Sequence, residues 1–256
     1  MQFLIPAAGL GSRFSALGYK EPKPMIELHG IPLILWVIGN FKYSKEDVIF
    51  IAIREKTVDQ KKISKLTQNI KARIEFVTIH ELTDGAARTV DLASQRLDPK
   101  KPIIVANSDQ FVSADLDPFR KMVETEGVDG AILTMKASSN KWSYVSKNDL
   151  ENINRVVEKT EISSEATVGI YGWSKLSDFQ ESFAEMISNE DKTNNEYYVA
   201  PTYNYLIKKG KIIKPLNIGE INKNVFGLGT PEDLEYFKKL PTSIQSADRI
   251  NEILSA

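Results

Sequence analysis

The sequence predicts an α/β protein: a mostly parallel sheet with helices on both faces and a smaller C-terminal lid. Three observations carry this. The chain opens on the apolar run Phe3-Leu4-Ile5 and passes at once into Pro6-Ala7-Ala8-Gly9-Leu10-Gly11-Ser12-Arg13. That is a buried strand entering a small-residue turn, the first half of a βα unit. Further apolar runs recur at wide spacing: Val48–Ile53, Ile74–Ile79 and Ile103–Ala106. Segments of helical spacing lie between them, at Ile31–Asn40, at Val58–Ile70 with Ile63, Leu66 and Ile70 on one face, and at Ala86–Leu97 with Val90, Ala93 and Leu97 on one face. Alternating strands and helices joined by short loops make a parallel sheet covered on both sides.

The second half has a different rhythm. Ala131–Met135, Trp142–Ser146, Ile153–Glu158 and Thr167–Trp173 are strand-like with little helix between them. Leu176–Ile187 and Tyr197–Lys208 have helical spacing, and Ile212–Leu216 is a further strand. Thr230 precedes Pro231–Leu240 as a natural cap with proline at the first helical position. Ser243–Leu254 closes as a last helix. Without an internal repeat or a linker-like stretch, residues 1–256 are expected to form one domain.

Composition narrows the function. Of 256 residues, 42% are hydrophobic and 26% charged, a globular balance. Lys+Arg 33 against Asp+Glu 34 leaves a net charge of −1, which argues against a general nucleic-acid binder. The absence of cysteine excludes disulfides, thiolate metal sites and a cysteine nucleophile. The run Ile31–Ile38 is far shorter than the ~20 residues of a membrane helix. The opening MQFLIPAAG lacks a basic leader, so a cytoplasmic protein away from membranes is expected.

The glycine-containing turn carries the strongest chemistry. Small residues and two glycines let backbone N–H groups converge on an anion. The turn lacks the Lys-Ser/Thr of a P-loop and the third glycine of the dinucleotide fingerprint. Arg13 closes it, and Lys23 follows between Pro22 and Pro24, whose fixed φ values stiffen the lysine's backbone. A guanidinium and an ammonium beside such a turn make a pocket for several negative charges, and a triphosphate fits.

Leu4-Ile5-Pro6-Ala7-Ala8-Gly9-Leu10-Gly11-Ser12-Arg13-Phe14, followed by Pro22-Lys23-Pro24-Met25-Ile26, resembles the signature of the sugar-phosphate nucleotidyltransferases. The resemblance implies a Rossmann-like fold. It also implies condensation of a nucleoside triphosphate with a sugar 1-phosphate or similar small phosphate, with release of pyrophosphate. A nucleotide-binding half, residues 1–130, and an acceptor-binding half, residues 131–256, are then expected. Pro6, Ala7, Ala8, Gly9, Gly11, Ser12, Arg13 and Lys23 would hold the triphosphate. Thr83-Asp84-Gly85 resembles the family's base-contacting loop and places Gly85 against a base, expected to be a pyrimidine. Thr83 or Asp84 would also cap the helix that follows. His80 stands where relatives often have a base-reading Gln.

Ser108 and Asp109 end the apolar strand Ile103–Ala106, where open α/β sheets bind ligands. The family's metal-binding Asp falls on Asp109, implying Mg²⁺ as cofactor. Arg13, Lys23 and Asp109 are thus the implied catalytic set. Gln110 replaces a second acid of many relatives, and Gly227 stands where many have a second metal ligand, with Glu220, Asn222 or Asn224 as candidate substitutes. On the acceptor side, the resemblance implies Glu158 and Lys159, the strand carrying Gly169, and the acid Glu196. Tyr144, in an aromatic stretch with Trp142, is assigned to the acceptor wall, although core packing explains it as well.

The expected partners are therefore a nucleoside triphosphate and a small phosphorylated substrate, with room for a homo-oligomer. Relatives of this kind serve surface-polysaccharide assembly. A cytidylyltransferase acting on a phosphocholine-like or phosphoglutamine-like compound is an alternative acceptor class. Two rivals lie outside the reaction. A glycosyltransferase of related fold would usually carry an Asp-x-Asp motif, whereas Ser108-Asp109-Gln110 has one acid. A non-catalytic nucleotide-sugar-binding paralogue is favoured by Gly227 alone.

Overall fold

In the computed structural model, which describes residues 1–255, the chain begins with strand β1 (Gln2–Ala7), helix α1 (Ser12–Ala16) and the short strands β2 (Glu27–Leu28) and β3 (Ile31–Pro32). Next come α2 (Leu33–Ile38), β4 (Val48–Arg54), α3 (Gln60–Leu66), β5 (Arg73–Ile79), α4 (Ala86–Ser94), β6 (Ile103–Ala106), β7 (Gln110–Val112) and α5 (Asp117–Val123). The second half holds β8 (Gly130–Lys136), β9 (Ser143–Lys147), β10 (Ile153–Glu158), β11 (Glu165–Trp173), α6 (Leu176–Ser188) and α7 (Tyr203–Lys208). It ends with β12 (Ile213–Glu220), β13 (Val225–Gly227), α8 (Pro231–Lys238) and α9 (Pro241–Ser255).

Strands β6, β1, β4 and β5 lie side by side and parallel, with β1 in the middle. β11 runs antiparallel beside β6 and extends the sheet to β8 and β12. The β9–β10 hairpin joins the same sheet through Tyr144, which pairs with Ala166 of β11. Every residue of β1 is buried, which is why the run is continuously apolar rather than alternating. Its side chains still divide by the strand period of two. Phe3, Ile5 and Ala7 enter one core with α2, whereas Leu4 enters the other with α4 and α6.

The C-terminal segment returns to the N-terminal half. β13 pairs with β7, and Phe226 and Phe237 stack at 4.3 Å against a group that includes Trp36 and Phe111. Residues beyond about 225 thus pack on the first half, although the sequence puts them in the second.

Several helices are shorter than their periodicity suggests. Ile31 and Pro32 pair with β2, so α2 starts at Leu33. Asp59 caps α3 through the Lys62 N–H at 2.9 Å. Tyr197 is not helical, because its N–H donates to Asp84 O at 2.8 Å and its carbonyl accepts from the Ala87 N–H at 3.1 Å. β7, β13, α1 and α5 are too short to announce themselves by periodicity.

One buried ion pair fixes α5 to the entry of β4. Asp47 is fully buried and takes a two-pronged contact from Arg120 at 2.7 and 2.9 Å, plus the Ser44 N–H at 2.7 Å. Burial by itself would raise its pKa, but Arg120 and the Ser44 N–H outweigh it and hold the carboxyl below its ordinary value. A lowered carboxyl contributes stability that is present above its unfolded pKa and lost as pH falls through the lower folded value. Asp47→Ala should therefore cost about 1.5–3 kcal/mol, because Arg120 loses its two-pronged partner and keeps only Glu124 at 3.9 Å. Urea unfolding at neutral pH measures it, and the loss should shrink in acid below the ordinary carboxylate range.

Candidate functional site

The turn after β1 is shaped by two requirements. Gly11 has φ of 64°, and a Cβ there would meet the Lys23 Cβ at 3.0 Å, so the turn and the lysine segment lie in direct contact. Its carbonyl accepts from Phe14 and Ser15, which starts α1 and sets Arg13 on the first turn. Pro22 precedes a 3-10 turn at Lys23–Met25, closed by the Met25 N–H on Pro22 O at 2.8 Å. The stiffness expected of the paired prolines thus becomes a fixed origin for the Lys23 side chain.

Lys23 Nζ donates to Asp109 Oδ2 at 3.0 Å, joining the turn after β1 to the end of β6. Gly229 flanks the same carboxylate. A Cβ there would stand 2.8 Å from Asp109 Oδ2, so a side chain would displace it. Leu228 N–H donates to Asp109 O at 2.7 Å and secures the turn from the C-terminal side.

Two cavities open here and share Arg13, Asp109 and Gly229. The first, about 350 Å³, is lined by Ala7, Gly9, Gly11, Ser12, Lys23 and Ser108 in addition to the shared residues, and by Glu196. The second, about 870 Å³, adds Gln110, Trp142, Lys159, Thr230, Glu232 and Asp233, with the stretch Ser138–Lys141. The structure therefore gathers most of the turn residues, both basic residues and Asp109 in one place. Pro6 and Ala8 line neither cavity and are buried.

Other expected positions have different duties. The Tyr144 ring is fully buried, and its hydroxyl donates to Ser139 O at 2.8 Å and accepts from Ser139 N–H at 2.7 Å. It secures the 138–142 loop from behind and does not line the cavity. Glu158 is buried against the Ser143 hydroxyl, and burial pushes its carboxyl above the usual value despite that bond. Gly169 has φ of 85°, and a Cβ there would meet Gln110 Oε1 at 2.7 Å and Asn107 Nδ2 at 2.8 Å. Glycine at this position makes room for the turn that carries Asp109. Glu196, expected on the acceptor side, lines the first cavity with Arg13 and Lys23.

Gly85 and His80 line neither cavity, and His80 is exposed. Gly85 has φ of 131°, and a Cβ there would lie 2.3 Å from Tyr197 O. That contact explains the glycine, so a base preference no longer follows from it. Asp84 pairs with Lys192 at 2.7 Å, which lowers its pKa, and no side chain caps α4.

Of the candidate substitutes near Gly227, Asn222 lines the second cavity and Glu220 is engaged by Lys223 at 2.6 Å. Sequence reasoning passed over Asp233, whose Oδ2 lies 3.3 Å from where a Gly227 Cβ would stand. It also passed over Tyr198, whose hydroxyl accepts from Lys159 Nζ. The pattern Asn195-Glu196-Tyr197-Tyr198 contained the signal, but the tyrosine's partner is 39 positions away. Among the described residues, no three or more acidic or histidine side chains converge as a metal cluster. Asp109 alone offers a carboxylate to both cavities.

Residues 3–209 match the Nucleotidyl transferase family, from β1 to the end of α7. The chain belongs to that family. A nucleoside-diphosphate-sugar pyrophosphorylase from Vibrio cholerae RC9 is 26% identical, with a TM-score of 0.80 over 93% of this chain and 100% of that one. The catalytic subunit beta of mannose-1-phosphate guanylyltransferase from Danio rerio is 27% identical over 183 residues, 67% of this chain and 49% of that protein. The inositol-1-phosphate CTP transferase from T. maritima, at 14% identity, shares the fold with a TM-score of 0.70 over 98% of this chain and 94% of that one. The chain spans about half the length of the curated relatives it matches. No helix among the described residues is long and apolar enough to cross a membrane.

Gly85→Ala should push Tyr197 away and carry Glu196 with it. Strain at a glycine-only φ is worth about 1–3 kcal/mol. Thermal unfolding should show that loss, and a crystal structure of the variant should show the 193–198 segment displaced.

Proposed function

We propose that this chain transfers a nucleotidyl group from a nucleoside triphosphate to a small phosphorylated acceptor, a sugar 1-phosphate in the first instance, and releases pyrophosphate. The observation that carries the reading is the pair of adjoining cavities: Lys23 lines one, Lys159 the other, and Arg13 and Asp109 line both. Two anionic substrates meeting at one phosphorus need counter-charges on each side of it.

An oxygen of the acceptor phosphate attacks the α-phosphorus. The new Pα–O bond forms as the Pα–O–Pβ bond breaks, and the electron pair leaves with pyrophosphate. The nucleophile is already anionic, so no general base is required. Positioning and charge neutralisation do the work. Ser12 and the backbone of the glycine turn cradle the triphosphate, Arg13 and Lys23 neutralise the leaving pyrophosphate, and Lys159 offsets repulsion between the substrates. Asp109 is the residue that would hold Mg²⁺, a fit that one carboxylate with phosphate oxygens and waters satisfies. When bound there, the ion supplies further neutralisation of phosphate charge. The product would be a nucleotide-activated precursor of the kind surface-polysaccharide assembly consumes.

A second reading takes CTP and a non-sugar phosphate as substrates. It is favoured by Trp142, Glu232 and Asp233 in the larger cavity, since an aromatic face and carboxylates suit a cationic end such as choline. Pyrophosphate release from a panel of nucleotides and phosphorylated acceptors tests both readings. Consumption of a nucleotide-sugar without pyrophosphate would sink them.

Asp109→Ala should abolish turnover while the fold survives, as judged by circular dichroism. Lys159→Ala should lower turnover by roughly 10²–10³ and weaken the acceptor. Lys23→Ala should weaken nucleotide binding measured calorimetrically without acceptor, and Arg13→Ala should weaken both substrates because it lines both cavities. Loss of nucleotide binding in Lys159→Ala as severe as in Lys23→Ala would refute the division.

A further inference from the structure

Lys159 is held by a residue that belongs to neither the glycine turn nor the β10 strand end. Its backbone is left-handed, with φ of 56°, and its N–H donates to Trp142 O at 3.0 Å. Its ammonium donates to the Tyr198 hydroxyl and lies 4.6 Å from the centroid of the same ring. Tyr198 is half-buried, and Glu196 faces its hydroxyl from the first cavity. Burial, and after it the Glu196 carboxylate, push the phenol well above its usual value, with Arg13 close enough to oppose them. The phenol stays protonated, so one hydroxyl can face Glu196 with its proton and Lys159 with a lone pair.

The tyrosine is itself well anchored. Thr193 and Glu196 exchange backbone bonds at 3.0 and 3.1 Å, and Tyr197 is clamped to Asp84 and Ala87. Asn194 and Asn195 both take positive φ, 50° and 63°, which this bonding holds in place. The hydroxyl therefore projects from a rigid segment at the seam of the two cavities.

We propose that Tyr198 is the positioning residue for Lys159, holding its ammonium through the hydroxyl on the acceptor side of the seam. This rests on the transferase reading above. A free lysine side chain would lose much rotamer entropy on meeting a phosphate. It could also be drawn to Asp109 or to the triphosphate. Tethered to Tyr198, the cation is preorganised for the acceptor and kept from the nucleotide. The hydroxyl supplies a directional contact to a charged donor.

The test separates contact from consequence. The ε-ammonium NMR cross-peak of Lys159, assigned by its loss in Lys159→Arg, should move in Tyr198→Phe without any substrate. In the same variant the acceptor KM should rise roughly tenfold, the order expected for a hydrogen bond to a charged group. Nucleotide affinity should stay unchanged. Adding Tyr198→Phe to Lys159→Ala should change nothing further, because the tyrosine acts through the lysine. An unmoved cross-peak, an unchanged acceptor KM, additive effects in the double variant, or an equal weakening of both substrates would each overturn the proposal. A wild-type protein that releases no pyrophosphate from any pair of substrates would sink the transferase reading, and this proposal with it. An active wild type with an indifferent Tyr198→Phe would sink the proposal alone.

Discussion

The Lys23–Asp109 ion pair ties together the two parts of the chain on which the site depends. It spans 86 positions in sequence and joins the turn after β1 to the end of the neighbouring parallel strand β6. The two side chains are 15% and 29% exposed, so the pair is partly screened by solvent. Its importance is geometric. Gly11 lets Lys23 approach the turn, and Gly229 leaves room for the Asp109 carboxylate. A methyl group at either glycine would press on one partner. Three segments far apart in the chain therefore have to converge, and glycine at 11 and 229 makes the convergence sterically allowed.

Much of this arrangement was legible in the sequence because it is local. A strand, a small-residue turn, a basic residue closing it, and a lysine between prolines are all read within 25 residues. Asp109 is read from the apolar run before it. The sheet was legible too, since its buried strands are apolar and the helices between them periodic. Tyr144, Glu158, Gly169 and Gly85 have structural duties that were not legible, for one common reason. Each is defined by a partner that local pattern does not name: Ser139, Ser143, the Asn107 and Gln110 amides, and the Tyr197 backbone. A buried tyrosine and a cavity-lining one have the same letter, and only the tertiary partner distinguishes them.

The β7–β13 pair shows how the neutral positions fit together. Gln110 and Gly227 are direct cross-strand partners, so the two positions where the family resemblance implies acids are neighbours in space. With both neutral, the two-stranded pair brings no carboxylate of its own. Besides Asp109, which precedes β7, an acid beside Gly227 is Asp233, from the first turn of α8, where Thr230 Oγ1 accepts from its N–H at 3.1 Å. An aspartate at a helix N-terminus is electrostatically well placed. Its position beside Gly227 is thus compatible with α8 as well as with the cavity it lines.

The shared wall between the cavities has a further consequence for charge. A triphosphate and a phosphorylated acceptor repel one another strongly wherever water is excluded. Cations gathered at a single point would bind one substrate well and leave the other facing net repulsion. Here the basic groups are distributed: Lys23 on one side, Lys159 on the other, and Arg13 reaching both. The acids are interleaved with them, Glu196 on the Lys23 side and Asp233 on the Lys159 side. Before substrates arrive, Asp109 offsets Lys23 and the Tyr198 hydroxyl satisfies Lys159. Neither cation is left without a partner; on the transferase reading Lys23 would exchange Asp109 for a phosphate oxygen, while Lys159, with three N–H donors, would keep the Tyr198 hydroxyl and add one. The exchange at Lys23 requires a partner that can be displaced, which a partly exposed ion pair provides.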